Sequence, residues 1–382
     1  MLIDSLTFSL ERSGCLDAFW GRLDEGKDAA LGVAGSARPF LVAARFAHRP
    51  QPTLAVVAGE DAAAAFARSL AAYLGEERVL RFPERSDFPF SPKPSDPSQV
   101  ARRMEAAHAL ASGRQAVVVA SARSLLRSLP PVGAGAFLPV ALEAGRELAD
   151  MPGAQAAGVS EFGDLVRALE ERGYVNAGEL DGPGTFAVRG GAVDVFPGNL
   201  AYPVRLDFFG DELEEIRRIV PTTGQTIASL PGASVYPVVE FSCSKSGLAR
   251  ARKKLERPAA TNPALREMLE KMEGGLRFDG ADALLPYLYN ATATLGDYAP
   301  SDALAALIEP RSLFDDMAHA HDDVLGRAKG SGIAAAGLYA EPADVSFGAC
   351  QRATYVSIMR VGGQVDDELP VKRVEVAGHP DK

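Results

Sequence analysis

Cysteine is scarce in this chain. Cys15, Cys243 and Cys350 stand far apart among 382 residues, and they fit neither a disulfide framework nor a zinc-binding spacing. That usage is expected of a reducing, cytoplasmic setting. No apolar run reaches membrane-spanning length, and the N-terminus lacks the basic and apolar regions of a signal peptide, so no membrane partner is expected. No run of lysines and arginines stands out against a formal net charge of −10, and the chain reads as lacking the electrostatic footprint of an autonomous duplex-DNA binder. The five histidines form no ligand set; His319 and His321, two apart, fall on different faces of a helix and read as part of a solvated surface. Asp315-Asp316 and Asp322-Asp323 lie at helical spacing beside basic residues and read as surface charge. Serine and cysteine nucleophile motifs are absent. No catalytic residue, metal or cofactor is expected.

What is present is an ordinary globular composition, 47% hydrophobic and 24% charged, with room for two or three domains. The first third alternates strand and helix. A helix is expected around Leu16–Leu23 and another at Leu41–Phe46, on either side of a glycine-bearing turn. Strand Thr53–Ala58 is nearly all apolar, as in a parallel sheet buried on both faces. Asp61 is expected to cap helix Ala62–Leu74, with strand Arg78–Phe82 after it. Five prolines keep Pro83–Pro97 extended or looped. Helix Ser98–Ala111, strand Gln115–Ala120 and a short helix from Ser124 complete an α/β pattern with a mainly parallel sheet. From Val132 to Ala157 the pattern weakens into glycine, alanine and proline, as at a domain junction. Ser160 is expected to cap an amphipathic helix that Gly173 stops. Beyond Tyr236-Pro237 the chain turns helical again, at Ser246–Leu255 and Pro263–Met272. A strand at Ala303–Ile308 and a long helix from about Arg311 follow.

The most informative stretch runs from Gly184 to Val220. Thr185–Arg189 and Ala192–Phe196 are rich in β-branched and aromatic residues, with Gly190-Gly191 between them as a two-residue hairpin turn. Pro203–Phe209 is a third strand, and Gly210-Asp211 turns it into a fourth at about Leu213–Val220. Alternation on the third strand points Val204, Leu206 and Phe208 inward and Arg205, Asp207 and Phe209 outward. On the first strand Phe186 and Val188 are expected inside, which turns Arg189 out. The outer face then carries Arg189, Arg205 and Phe209, the composition of a protein-binding hot spot. A plainer reading fits equally: Phe209 tucks under a neighbouring loop and the arginines only solubilise the sheet.

A resemblance attaches to these residues. GTFAVRGGAVDVFP, RLDFFGDELEEIR and VPTTGQT are similar to the matching run of the family formed by UvrB and the transcription-repair coupling factor Mfd. TLAVVAG, the proline-rich segment and QAVVVASARSLL precede the run in the family's order and spacing, and GDYAPSDALAALIEP follows it. The resemblance covers about residues 20–350. It implies a degenerate helicase-like parallel-sheet α/β domain at 1–135 and an inserted small α+β UvrA-interaction domain at 136–236. A mostly helical region at 237–361 would return to complete the first domain, followed by a loose tail at 362–382.

The two branches of the family part at the nucleotide site. A working phosphate loop reads G-x-x-x-x-G-K-[ST], whose lysine reaches the phosphates and whose hydroxyl holds magnesium. Here the aligned segment keeps Gly32, but Ala37, Arg38 and Pro39 stand for the second glycine, the lysine and the hydroxyl residue. Proline offers neither hydroxyl nor N–H. The acidic pair at the end of a buried strand aligns with Ile308 and Glu309, so the magnesium-binding aspartate is missing. The resemblance therefore implies a scaffold that does not hydrolyse ATP, as in the N-terminal part of Mfd, within a longer translocase. It also implies a role in nucleotide excision repair: docking UvrA on Arg189, Arg205 and Phe209, with RNA polymerase and DNA engaged by later domains. The rival expectation is a UvrB-like ATP-dependent DNA-binding enzyme. A further one is an autoinhibitory module that shields the UvrA site.

Overall fold

The computed structural model describes residues 2–89, 93–276, 278–329 and 335–357. Phe90, His379 and the tail expected at 362–382 lie outside them. Two helices open the chain, α1 (Leu2–Ser13) and α2 (Asp17–Asp24), followed by strand β1 (Ala29–Gly32) and helix α3 (Arg38–His48). The expected strand–helix alternation follows: β2 (Thr53–Val57), α4 (Glu60–Leu74), β3 (Val79–Phe82), α5 (Pro97–Ala111) and β4 (Val117–Ser121). Every residue of β2 and β4 is buried, as their unbroken apolar runs require when helices cover both faces. Gly59, not Asp61, is the N-cap of α4, and Asp61 lies in its first turn with Glu60. That places the carboxylates on the positive end of the helix dipole without a capping bond. Helix α5 is capped by Asp96, whose carboxylate accepts from the Ser98 N–H at 2.8 Å. Ser124 falls in a short 3₁₀ turn, Arg123–Leu125.

The segment read as a junction folds into definite structure: β5 (Val140–Glu143), β6 (Arg146–Glu147) and α6 (Pro152–Ala156). Its small residues carry little periodic signal, yet its strands are completed by partners far along the chain. Helix α7 (Phe162–Glu171) buries Leu165 and Leu169. Glu161, not Ser160, holds its N-cap position, and the Asp164 carboxylate accepts from the Ser160 N–H at 3.1 Å. Strands β7 (Val175–Asn176), β8 (Thr185–Arg189), β9 (Ala192–Phe196), β10 (Val204–Phe209), β11 (Glu212–Ile219), β12 (Thr226–Leu230) and β13 (Gly232–Val235) follow. Seven strands form one sheet in the order β12-β11-β10-β9-β8-β7 with β6 also on β11, while β13 pairs with β5. All neighbours from β8 to β12 are antiparallel.

The chain then forms α8 (Lys245–Thr261), α9 (Pro263–Glu273) and α10 (Leu285–Leu288), with their own apolar cluster around Leu255, Leu269 and Leu284. Strand β14 (Leu304–Ile308), helix α11 (Pro310–Ala328) and strand β15 (Gln351–Val356) return to the first sheet. That sheet is wholly parallel, in the order β1-β15-β14-β2-β4-β3, so the returning strands sit between β1 and β2. Sequence reading missed β1 and β15, because short strands of small or polar residues take their identity from their neighbours.

One continuous core joins the parallel sheet to the small domain, running from Leu54 and Met104 through Tyr236 to Phe186 and Leu206. The contact is close at Gly198, where an added Cβ would lie 2.4 Å from the Pro97 carbonyl oxygen, so only glycine fits. A buried ionic cluster lies where the three regions meet. Glu240 pairs with Arg103, with Arg85 at 3.1 Å and with Arg127 at 3.7 Å. Arg85 holds Asp87 at 2.6 Å, and both Arg85 and Arg127 reach Asp282 at 2.8 Å. Three cations thus meet three carboxylates. Burial pushes the Glu240 carboxyl up, but the three guanidiniums outweigh it and hold its pKa at about 2.

Candidate functional site

The β9–β10 register builds the outer face. Arg205 stands opposite Asp194 on one side and Arg217 on the other, while Leu206 stands opposite Val193 and Ile216 on the inner side. Val204, Leu206 and Phe208 are buried, Arg205 and Asp207 are half-buried, and Phe209 is 76% exposed. The strand therefore faces as its alternation predicts, and no loop covers Phe209. Gly210, with φ of +63°, makes the turn that leaves Phe209 at the end of its strand. On β8, Phe186 is buried, but Val188 is 39% exposed and Ala187 is buried instead. Val188 comes two residues before the turn, where the inner face runs out past the core. Arg189 is exposed as expected.

The two arginines are not free. Arg205 donates from Nε to Asp194 Oδ1 at 2.6 Å and from Nη2 to Oδ2 at 2.7 Å. Arg189 donates from Nε to the same Oδ2 at 3.1 Å and from Nη2 to the Gly178 carbonyl at 3.0 Å. Asp194 is only 3% exposed. One buried carboxylate thus orients two guanidiniums and leaves the cluster with one positive charge in excess. The bond to Asp194 raises the Arg205 pKa above its ordinary value. Asp207 is paired with Arg217, whose Nε and Nη2 donate to its Oδ2 at 2.9 and 2.7 Å. Sequence reading missed Asp194. The signal was present: a charged residue at the centre of the apolar strand AVDVF, aligned by the hairpin with Arg205.

The residues that the resemblance aligns with a nucleotide site come together from opposite ends of the chain. Gly32 ends β1, Ala37 closes a 3₁₀ turn at Gly35–Ala37, and α3 starts at Arg38. Pro39 sits in the helix's first turn, where a missing N–H costs nothing. Ile308 ends β14 and is buried. Glu309 follows in the left-handed region, φ +55°, the only such residue other than glycine among those described. Arg38 forms an ion pair with Glu309 and donates from Nη2 to Ser357 Oγ at 2.6 Å. The Glu309 carboxylate also accepts from the Ser357 N–H at 2.8 Å. Arg38 and Glu309 are therefore paired with each other across the end of β15.

Elsewhere two sequence readings need correction. Asp316 is not surface charge: it accepts from Arg123 Nε at 2.7 Å and from the Gly59 N–H at 3.0 Å, tying α11 to the parallel-sheet domain. His319 is exposed and His321 buried, as their spacing requires, but His321 faces Glu341 at 3.5 Å rather than solvent. Among the described residues no group of three His, Cys, Asp or Glu side chains is placed to hold a metal, and no helix is long and apolar enough to cross a membrane.

Residues 158–241 match the family model described as the UvrB interaction domain. The chain is 30% identical over 295 residues to a transcription-repair-coupling factor of Myxococcus xanthus, an alignment covering 73% of this chain and 24% of the relative. It is 28% identical over 370 residues to the factor of that name from Mycobacterium tuberculosis, covering 91% and 28%. UvrABC system protein B of Gemmatimonas aurantiaca is 27% identical over 255 residues, covering 63% and 35%. The chain spans about a quarter to a third of the length of these relatives. Over most of its length the chain is similar to part of the transcription-repair-coupling factors, with UvrB proteins also matching, and it carries a UvrB interaction domain at residues 158–241.

Proposed function

We propose that this chain is the UvrA-recruiting module of a transcription-coupled repair factor, which brings nucleotide excision repair to a stalled RNA polymerase. RNA polymerase and DNA translocation belong, in this reading, to other parts of a longer parent protein. The observation that carries it is the outer face of the small sheet. A large exposed aromatic, Phe209, lies on the same face as an oriented guanidinium pair, within the segment that matches the interaction-domain model. Such a surface offers an apolar anchor beside charge-assisted donors, the pairing found at binding hot spots. The parallel-sheet domain serves as a scaffold that does not hydrolyse ATP. This is supported by the replacement of the lysine and hydroxyl positions by Arg38 and Pro39, and by the pairing of Arg38 with Glu309. The test is a titration with purified UvrA. Phe209→Ala is expected to weaken binding by about 2 kcal/mol or more, and Arg189→Ala or Arg205→Ala by about 1–3 kcal/mol each. Wild-type binding by all three folded variants would end the proposal.

A further inference from the structure

Helix α8 gathers the positive charge that the chain as a whole lacks. Lys245, Arg250, Arg252, Lys253, Lys254 and Arg257 stand against one acidic residue, Glu256, in a chain whose net charge is −10. This corrects the reading that no basic run is present: alanines and leucine interrupt the run in sequence, and the helix brings it together. Ala251, Leu255 and Ala259 turn inward onto the cluster shared with α9 and α10. Two of the cations have internal work, since Arg250 bonds the Leu288 carbonyl and Lys254 the carbonyls of Pro286 and Tyr289 at 3.1 Å. Arg252 lies 3.7 Å from Glu273 with its side chain 75% exposed, an ion pair worth little in water. Lys245, Lys253 and Arg257 are exposed and have no carboxylate partner among the described residues.

We infer that this face of α8 is a docking surface for the phosphate backbone of duplex DNA. Its cations run from Lys245 to Arg257, a rise of about 18 Å at 1.5 Å per residue, long enough to follow several successive phosphates. The character of the face selects the partner. No large hydrophobic side chain is exposed on α8, and the helix contains no aromatic residue. A protein partner would be met by an apolar or aromatic centre, and single-stranded nucleic acid by stacking platforms. A face on which cations far outnumber the one exposed acid, Glu256, suits a continuous polyanion read by charge alone, so binding is sequence-independent. The surface lies on the helical region, separate from the Phe209 face, and its test does not depend on UvrA.

The experiment uses the whole chain and a fluorescein-labelled 20-base-pair duplex of arbitrary sequence, followed by anisotropy from 50 to 200 mM NaCl. Four phosphate contacts, from Lys245, Arg252, Lys253 and Arg257, give a log–log salt slope of about −3.6, roughly a hundredfold loss of affinity over that range. Lys253→Gln with Arg257→Gln is expected to weaken binding at 50 mM by about tenfold or more and to flatten the slope by about 2. The charge-preserving pair Lys253→Arg with Arg257→Lys should bind as wild type. The control Arg68→Gln, on the exposed side of α4, should also leave binding unchanged. Three results would overturn the inference: undiminished binding by the Gln pair, an equal loss in the Arg68 control, or displacement of the duplex by poly-glutamate at lower concentration than by unlabelled duplex. The last would identify an acidic protein surface as the occupant.

Discussion

Glu240→Gln tests whether the buried ionic cluster holds the small domain on its base. Glu240 is 1% exposed, and its carboxylate faces Arg103, Arg85 and Arg127. Glutamine keeps the volume and removes the charge, so three buried guanidiniums would share the two carboxylates of Asp87 and Asp282. Removing one partner of a buried ionic cluster costs about 3–5 kcal/mol. The depression of the Glu240 pKa from 4.5 to about 2 leads to a similar figure by an independent route, about 3 kcal/mol. Against a typical stability of about 5–15 kcal/mol this is a large share. The folded pKa lies below the unfolded one, so the contribution is complete above about pH 4.5 and is lost as pH falls towards 2. Roughly 2 kcal/mol of it should be gone by pH 3. Urea unfolding of wild type and variant, at pH 7 and across pH 5 to 2.5, reads both effects. The variant should be less stable at pH 7 and should approach wild type as the acid range is entered. Stabilities within 1 kcal/mol of each other at pH 7, with parallel acid profiles, would refute the reasoning.

Three further outcomes are expected. Leu206→Ala opens a cavity in the inner face and should lower stability by about 2–5 kcal/mol, whereas Phe209→Ala, at 76% exposure, should melt like wild type; the reverse order in a thermal melt would invert the face assignment. Magnesium-ATP at millimolar concentration should not raise the melting temperature, nor should ATPase activity rise above background with or without DNA, because a ligand that does not bind the native state cannot stabilise it. Asp194→Asn leaves the Arg189 and Arg205 guanidiniums without their shared anion; binding to UvrA should fall by about 1–3 kcal/mol, as for loss of one arginine, and unchanged affinity would show that their orientation is irrelevant.

Local chemistry was legible in the sequence wherever a residue's role depends on its near neighbours. Alternation alone oriented Val204–Phe209 correctly, because period-two geometry is a property of the strand itself. The nearly all-apolar runs read at Thr53–Ala58 and Gln115–Ala120 announced a parallel sheet covered on both faces, and the glycine turns at 190 and 210 fixed the hairpins. Tertiary structure decided what depends on distant partners. Val188 is half-exposed because the core ends short of the hairpin tip, which no local pattern records. Arg38 and Glu309 could be aligned as altered motif positions, but that they neutralise each other follows only from β15 lying between their strands. Asp316 looked like solvent-facing charge until α11 set it against Gly59 and Arg123. The cations of α8 became a single face only when the helix wound their spacing onto one side. Sequence spacing fixes direction within an element, whereas charge pairing and exposure are set by whatever the fold brings alongside it.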